Sequence, residues 1–485
     1  MNNLVTLFLI VVGVAIFTRL SGNPLNHDRA YLRRRILNWV PLGIGYAFLY
    51  FGRYNLTVAK IALGDLMTKH EFGTIFAVGT WTYALAFLLN GPLTDKIGGR
   101  KAMLISTIGA AASNILIGVL VFRLGPSGAS SFFRTPSGHT WLLGLFILLY
   151  ALNMYFQSFG AVSIVKVNSS WFGVKERGVF GGIFGILISA GVFFAYDFGQ
   201  WIVDGIHTAR DFAGNAVVSP PFGVFWIPGG LLLAAAVWIY LVVRDRPAEA
   251  GFANFDTGDA SSGEDDTPDP VRVILKKVVT NPVVLTIGAI EFCTGILRQG
   301  IMQWYPIYGH EMGYKATFLV TRQWGTMLFL AGATGGMTAG WISDKVFGSR
   351  RGPVAALLYS LMLVAALVMT FTVQVPVAGV AVDALRKVLL GAAVVLVSYC
   401  VIGTHGMLSG TATMDFGGRK NAGTAVGLID GLVYLGTGFQ AISLGYLTEK
   451  SWAFWPPFLI PFAVIGTILA LRIWKAMPQA AHRKA

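Results

Sequence analysis

The chain is 485 residues long, 55% hydrophobic and only 12% charged, with a mean hydropathy of +0.64, which is too apolar to cover the surface of a soluble protein. Its net charge of +14 is gathered in short clusters between apolar stretches rather than along one soluble face, so nucleic acid is excluded as a partner and the lipid bilayer is the expected surroundings. Cys293 and Cys400 are far apart and inside apolar stretches, which leaves neither a disulfide framework nor a metal site.

The first apolar run, Leu4 to Thr18, is followed by Arg19 and lacks a signal peptide's basic start and small-residue cleavage site. It is expected as a possible extra N-terminal helix that crosses the membrane with its start outside or lies in the interface, the third alternative being that the true start codon is further on. Twelve principal spans follow, near 36–60, 72–90, 102–122, 140–163, 179–203, 221–243, 282–305, 317–341, 353–374, 386–410, 421–446 and 454–474. Each is long enough to cross about 30 Å of hydrocarbon as a helix, and the ten-residue alternation of a membrane barrel is absent. Backbone groups in lipid must pair internally, so the fold class is an all-α membrane protein.

Basic clusters fall on every second connection, at Arg33 to Arg35, Lys96 to Lys101, Lys175 and Arg177, Lys276 and Lys277, Lys345 to Arg351, Arg419 and Lys420, and Arg472 and Lys475. The positive-inside rule makes those connections and the C-terminus cytoplasmic in a multi-pass protein of the cell's inner (plasma) membrane. Residues 244–278, rich in Gly, Ser, Pro and acids, read as a solvated linker. The domain plan is therefore an N-terminal apolar helix and basic segment (1–35), a six-helix bundle (36–243), a linker (244–278), a second six-helix bundle (279–474) and a tail (475–485).

Two loops repeat. Gly91-Pro-Leu-Thr-Asp95-Lys96 leads to Arg100 after the second span, and Gly340-Trp-Ile-Ser-Asp344-Lys345 leads to Arg350 and Arg351 after the eighth. A repeat of half the chain is what two similar bundles about a central site produce. Both loops match the G-x-x-x-D-[RK]-x-x-x-[RK] signature of the major facilitator superfamily, and the fold expected is its twelve-helix form in two six-helix bundles. In these loops glycine allows close helix contact, while the acid and the basic residues can bridge helix ends as a gate.

Charges inside spans are costly and mark function. Arg53 in the first span and Arg298 in the seventh are pseudo-symmetry mates, and two guanidinium forks facing one cavity suit a dianion. Tyr46 and Tyr50 precede Arg53 by seven and three residues, on nearly the same face. Glu291, two turns before Arg298, reads as a counterion, a proton carrier or a contact for a cationic substrate group. Asp430 is a second possible coupling acid, Asp197 is expected near a wet outer end, and His405 is expected to be packed or hydrogen-bonded.

Together with Gln157 to Gly178, Arg244 to Pro247 and Trp304 with Pro306, these residues resemble the organophosphate:phosphate antiporter family, which includes bacterial glycerol-3-phosphate and hexose-phosphate transporters. The resemblance spans about residues 36–474 and implies exchange of a small phosphorylated organic anion for inorganic phosphate by alternating access, in a monomer without a cofactor. It assigns Arg53 and Arg298 to the phosphoryl group and adds Tyr83 and Tyr434 to the substrate site. Phe87 and Ile188 depart from it: Phe87 stands where the glycerol-3-phosphate and hexose-phosphate carriers have a lysine, and Ile188 where the glycerol-3-phosphate carrier has a histidine. The competing readings are a proton-coupled symporter of another organic anion and a transporter-like sugar-phosphate sensor. No nucleophile with a paired base, metal cluster or phosphate loop points to an enzyme.

Overall fold

The computed structural model describes residues 3–20, 23–124, 133, 135–173, 176–207, 220–257, 272, 273, 276, 280–348, 350–374, 379–417 and 422–476. All but the first two residues of the expected tail 475–485, and most of the linker's acidic stretch, lie outside the described residues. Local signals set the helix ends. Helix α1 is Asn3–Leu20 and α2 is Arg29–Leu63, the latter started by the Asp28 carboxylate accepting from Tyr31 N at 2.6 Å. A reciprocal Thr68 and Glu71 capping box opens α3, Lys69–Ile97. Next come α4 (Gly99–Phe122), α5 (Pro136–Trp171), α6 (Arg177–Phe193), α7 (Gly199–His207) and α8 (Gly223–Val242). A π turn, Phe194–Phe198, joins α6 to α7 within one span.

The second half holds α9 (Pro282–Met302), α10 (Trp304–Glu311), α11 (Tyr314–Thr317), α12 (Leu319–Arg322), α13 (Trp324–Lys345), α14 (Arg351–Gln374), α15 (Val380–Gly417), α16 (Ala422–Lys450) and α17 (Trp455–Arg472). The eighth span begins at Trp324 rather than near residue 317, because Phe318 and Gln323 take non-helical backbone angles and divide the preceding residues into two single turns. Among the described residues, nine helical segments are long and apolar enough to cross a membrane. The spans in α2, α13 and α16 are outside that set; α2 carries Arg53, α16 carries Asp430 and α13 is rich in glycine and threonine.

Packing repeats between the halves. Helix α2 packs on α6 and α8 as α9 packs on α16 and α17; α4 packs on α5 and α8 as α14 packs on α15 and α17. The halves meet along α3 with α16 and along α6 with α13. The two repeated loops share one face of the bundle, called here the motif face. On the opposite, far face the halves are joined by Lys69 Nζ to Glu311 Oε2 (3.0 Å), His70 N to Glu449 Oε2 (3.2 Å) and the T-shaped rings of Phe72 and Trp304 (5.7 Å). Gly73 is required in this seam, since a Cβ there would lie 2.4 Å from Ala441 O and 3.0 Å from Gly445 Cα.

Two sequence expectations change. Asp197 is not wet: it is buried, and its carboxylate accepts from Gly325 N (2.7 Å), Thr326 N (2.8 Å) and Thr326 Oγ1 (2.6 Å) at the start of α13 in the other half. The linker's start is not a free tether, because Phe252 and Phe255 pack edge-on against Tyr31 at 5.6 and 5.9 Å. Helix α1 lies on the α6–α13 seam. Thr6 Oγ1 is 3.1 Å from Thr326 Oγ1, and Ile10 joins Ile186, Ala190, Phe193 and Phe329 in a small apolar cluster.

Candidate substrate site

Arg53 sits midway along α2 with no exposed surface. Its Nε donates to Gln157 Oε1 (2.9 Å), its Nη1 to Tyr434 Oη (2.5 Å) and its Nη2 to Tyr83 Oη (3.2 Å). The guanidinium carbon lies 4.6 Å from the Tyr83 ring centre and 4.8 Å from that of Tyr50, so electron-rich faces and phenol oxygens offset its desolvation. Tyr434 comes from the second half, so the Arg53–Tyr434 bond crosses the seam. The rings of Tyr83 and Tyr434 lie 4.1 Å apart, with Phe87 edge-on to Tyr83 at 4.5 Å.

Arg298 differs from its mate. It is 7% exposed, and its buried Nε and Nη2 have no hydrogen-bond partner among the described residues. It lies within electrostatic reach of Tyr50, Tyr54, Tyr434 and Arg53. Leaving charged donors unpaired in an apolar interior is expensive, and an anion would satisfy them. Tyr46 stacks edge-on against Tyr50 at 5.2 Å, and neither hydroxyl makes a hydrogen bond among the described residues. Ile188 is half-buried and packs into the apolar core.

Glu291 is buried, and its hydrogen-bond partner is His405 Nδ1 at 2.8 Å, with Arg298 within electrostatic reach. Asp430 is half-buried one turn before Tyr434 on α16 and within electrostatic reach of His405.

Sequence reasoning gave no role to Gln157, Tyr54 or Gln299. Gln157 holds Arg53 and is itself held by Asn153 at 3.0 Å, while Gln299 Nε2 donates to Tyr54 Oη at 2.7 Å across the halves. For Gln157 and Gln299 the available signal is an uncharged amide inside an apolar span; Tyr54 carries none that sets it apart from its aromatic neighbours.

In the motif loops the acids and bases engage other elements. Asp95 Oδ1 pairs with Lys166 Nζ on α5 at 3.0 Å. Arg100 N donates to Asp245 Oδ1 at 2.8 Å, and its guanidinium reaches Tyr240 O. Gly98, at φ 90°, makes room for that carboxylate, because a Cβ there would be 2.6 Å from Asp245 Oδ2. Asp344 is 3.7 Å from Arg351 rather than paired with Arg350, whose Nε donates to Phe347 O at 3.1 Å. Gly91 is buried in α3. At Gly340 a side chain would meet open space, so close contact does not explain that glycine in this conformation. None of these described pairs joins one half to the other.

A bundle of repeated halves, with buried cations and tyrosines where the halves meet, defines a membrane transporter rather than an enzyme. The sequence matches the Major Facilitator Superfamily model over residues 42–441, and the chain belongs to that superfamily. It is 24% identical to the glycerol-3-phosphate transporter of Bacillus subtilis (strain 168), covering 94% of this chain and 96% of that one. It is also 24% identical to a probable hexose phosphate transport protein of Chlamydia pneumoniae, over 94% and 95%. The membrane sensor protein UhpC of Salmonella typhimurium (strain LT2) is 26% identical, over 94% and 93%. The crystal structure of a D-xylose-proton symporter shares the fold, with a TM-score of 0.64 at 13% identity, over 90% of this chain and 97% of that one. The chain is thus a multi-pass membrane protein of the same family as proteins named for phosphorylated compounds.

Proposed function

We propose that this protein is an organophosphate transporter that exchanges a small phosphorylated organic anion for inorganic phosphate by alternating access. The observation that carries the reading is Arg298, a buried guanidinium whose Nε and Nη2 lack hydrogen-bond partners among the described residues, near an Arg53 already held by tyrosines. A phosphoryl group offers acceptors to both forks, Tyr46, Tyr50 and Tyr83 contribute hydroxyl donors at its edge, and Tyr434 lines the site as the partner from which Arg53 is released. Relatives named for glycerol-3-phosphate and hexose phosphate support that choice of ligand. The motif face is taken as cytoplasmic from its basic loops, which makes the described conformation closed to the outside.

The test is counterflow of labelled phosphate into proteoliposomes loaded with inorganic phosphate. Saturable exchange that Arg53→Lys and Arg298→Lys both abolish is expected. Folded, inserted protein that binds phosphate esters without exchanging them would be a sensor. Uptake that needs a pH gradient and no internal phosphate would make it a symporter.

A further inference from the structure

A cavity of about 430 Å³ lies at the far end of the second half, and neither Arg53 nor Arg298 lines it. Its walls come from four places: Tyr308 in α10, Val373 and Gln374 closing α14, Arg386 in the second turn of α15, and Ser451 with Trp452 between α16 and α17. Trp452 Nε1 donates to Glu311 Oε2 at 2.7 Å, the carboxylate that meets Lys69 in the far-face seam, which puts the cavity on that face. Arg386 brings the only charge among the described residues that line it. Its Nη2 donates to Tyr308 Oη (3.0 Å) and Val373 O (3.2 Å), which orient the guanidinium, whereas its buried Nε has no hydrogen-bond partner among the described residues. No carboxylate pairs with it there either. The neighbouring charges are already matched, Lys387 with Asp383 at 2.6 Å and Glu311 with Lys69 at 3.0 Å. The cavity thus keeps a cation with an unmet donor, which an oxyanion would satisfy. Its rim is apolar: Phe371, one turn before Gln374, is 74% exposed, and Phe454, just beyond Trp452, is 49% exposed.

We infer that this cavity is a lipid site: Arg386 takes the phosphate of a phospholipid headgroup while the hydrocarbon lies against the rim, and anionic headgroups are preferred over zwitterionic ones. The inference does not depend on what the central arginines bind. A planar guanidinium suits a phosphate, and tyrosine and tryptophan beside it are the residues of a membrane–water interface. A basic pocket at that depth is the usual receptor for an anionic headgroup. Exposed rings at the rim favour a ligand that carries hydrocarbon, which a free phosphate ester lacks. A choline headgroup brings a cation that Arg386 repels, and the nearby acids, Asp383 and Glu311, are already paired and offer it no compensation.

The test titrates the detergent-solubilised full chain with dioctanoyl phosphatidylglycerol and dioctanoyl phosphatidylcholine, read by native mass spectrometry and by the rise in melting temperature. Phosphatidylglycerol should bind about 5-fold more tightly. Arg386→Gln should bring the two lipids within about 2-fold of each other. Ala453→Leu, which fills the cavity but leaves Arg386 in place, should do the same, so the reading survives if Arg386→Gln fails to fold. Lys387→Gln removes the next cation on α15, outside the cavity, and should leave the preference intact, as should Arg298→Lys. Equal binding of the two lipids to wild-type protein overturns the inference, as does a preference that Arg386→Gln leaves unchanged. A loss of preference in Lys387→Gln as large as in Arg386→Gln would mean surface charge alone, without a site. Displacement of phosphatidylglycerol from Arg298→Lys protein by glycerol-3-phosphate at matched concentration would assign the cavity to a free phosphate ester instead of a lipid.

Discussion

Asp197 provides a measurable latch on the far face. Its carboxylate is carried by the first half but caps the second, accepting the N–H groups of Gly325 and Thr326 and the Thr326 hydroxyl within 2.8 Å. These are orphan donors of α13's first turn, where the helix dipole also favours an anion. The π turn at Phe194–Phe198 shifts the helical phase at the point where this carboxylate reaches across the seam. When the far face opens, water must replace the cap. Hydrogen bonds to charged groups are worth about 1.5–3 kcal/mol each but do not add fully, so Asp197→Asn, which keeps one acceptor and loses the charge, should cost the closed state about 2 kcal/mol.

That cost raises the open-to-closed ratio about 30-fold. Thr326→Val, which removes only the hydroxyl, should raise it about 5-fold. The readout is the distance distribution between spin labels at Asp65→Cys and Met312→Cys, both exposed at the far ends of opposite halves, with Cys293 and Cys400 replaced by Ser. A ratio for Asp197→Asn within about twofold of the parent, or moved toward the closed form, refutes the latch.

The same labels test Gly73→Ala, whose Cβ would be 2.4 Å from Ala441 O; backbone cannot yield as a side chain can, so the open fraction should rise about 10-fold or more. Thr6→Val removes the contact of α1 with Thr326 and should raise the open fraction about 3- to 5-fold, an effect lost in a Thr326→Val background. Arg298→Lys should weaken phosphate binding by about 100-fold in calorimetry with little change in melting temperature, because a point charge cannot replace the fork. Arg53→Lys should lower both, since Gln157, Tyr83 and Tyr434 lose their common donor.

The spans were legible because lipid demands long apolar runs, and Arg53 and Arg298 because charge is conspicuous within them. Gln157, Tyr54 and Gln299 were not, since an amide or a phenol in an aromatic-rich span reads equally as packing until its partner, 104 residues away for Arg53 and Gln157, is known. Asp197 was misread as wet for a related reason. Its polar neighbours in sequence lie toward a loop, whereas its partners begin 128 residues later. The docking of α1 could not be foreseen from an almost uniformly apolar helix, because the face that meets Ile186 and Phe329 is chemically the same as the face that meets lipid.

The unequal state of the two arginines ties binding to motion. Arg53 Nη1 is bonded to Tyr434 across the halves, whereas Arg298 has donors to spare. An anion that reaches Arg298 binds its unpaired donors at no cost in existing bonds among the described residues. To engage Arg53 fully it must compete with the Tyr434 hydroxyl, and that competition weakens a contact holding the seam. Substrate binding energy is thereby directed at an interaction that opening must break, as alternating access requires of a ligand that favours one state only through differential contacts. Tyr434→Phe, which deletes the competing hydroxyl, should tighten phosphate binding several-fold while slowing exchange, because the ligand no longer spends part of its binding on the seam. Equal changes in both quantities would show that the Arg53–Tyr434 bond has no part in the coupling.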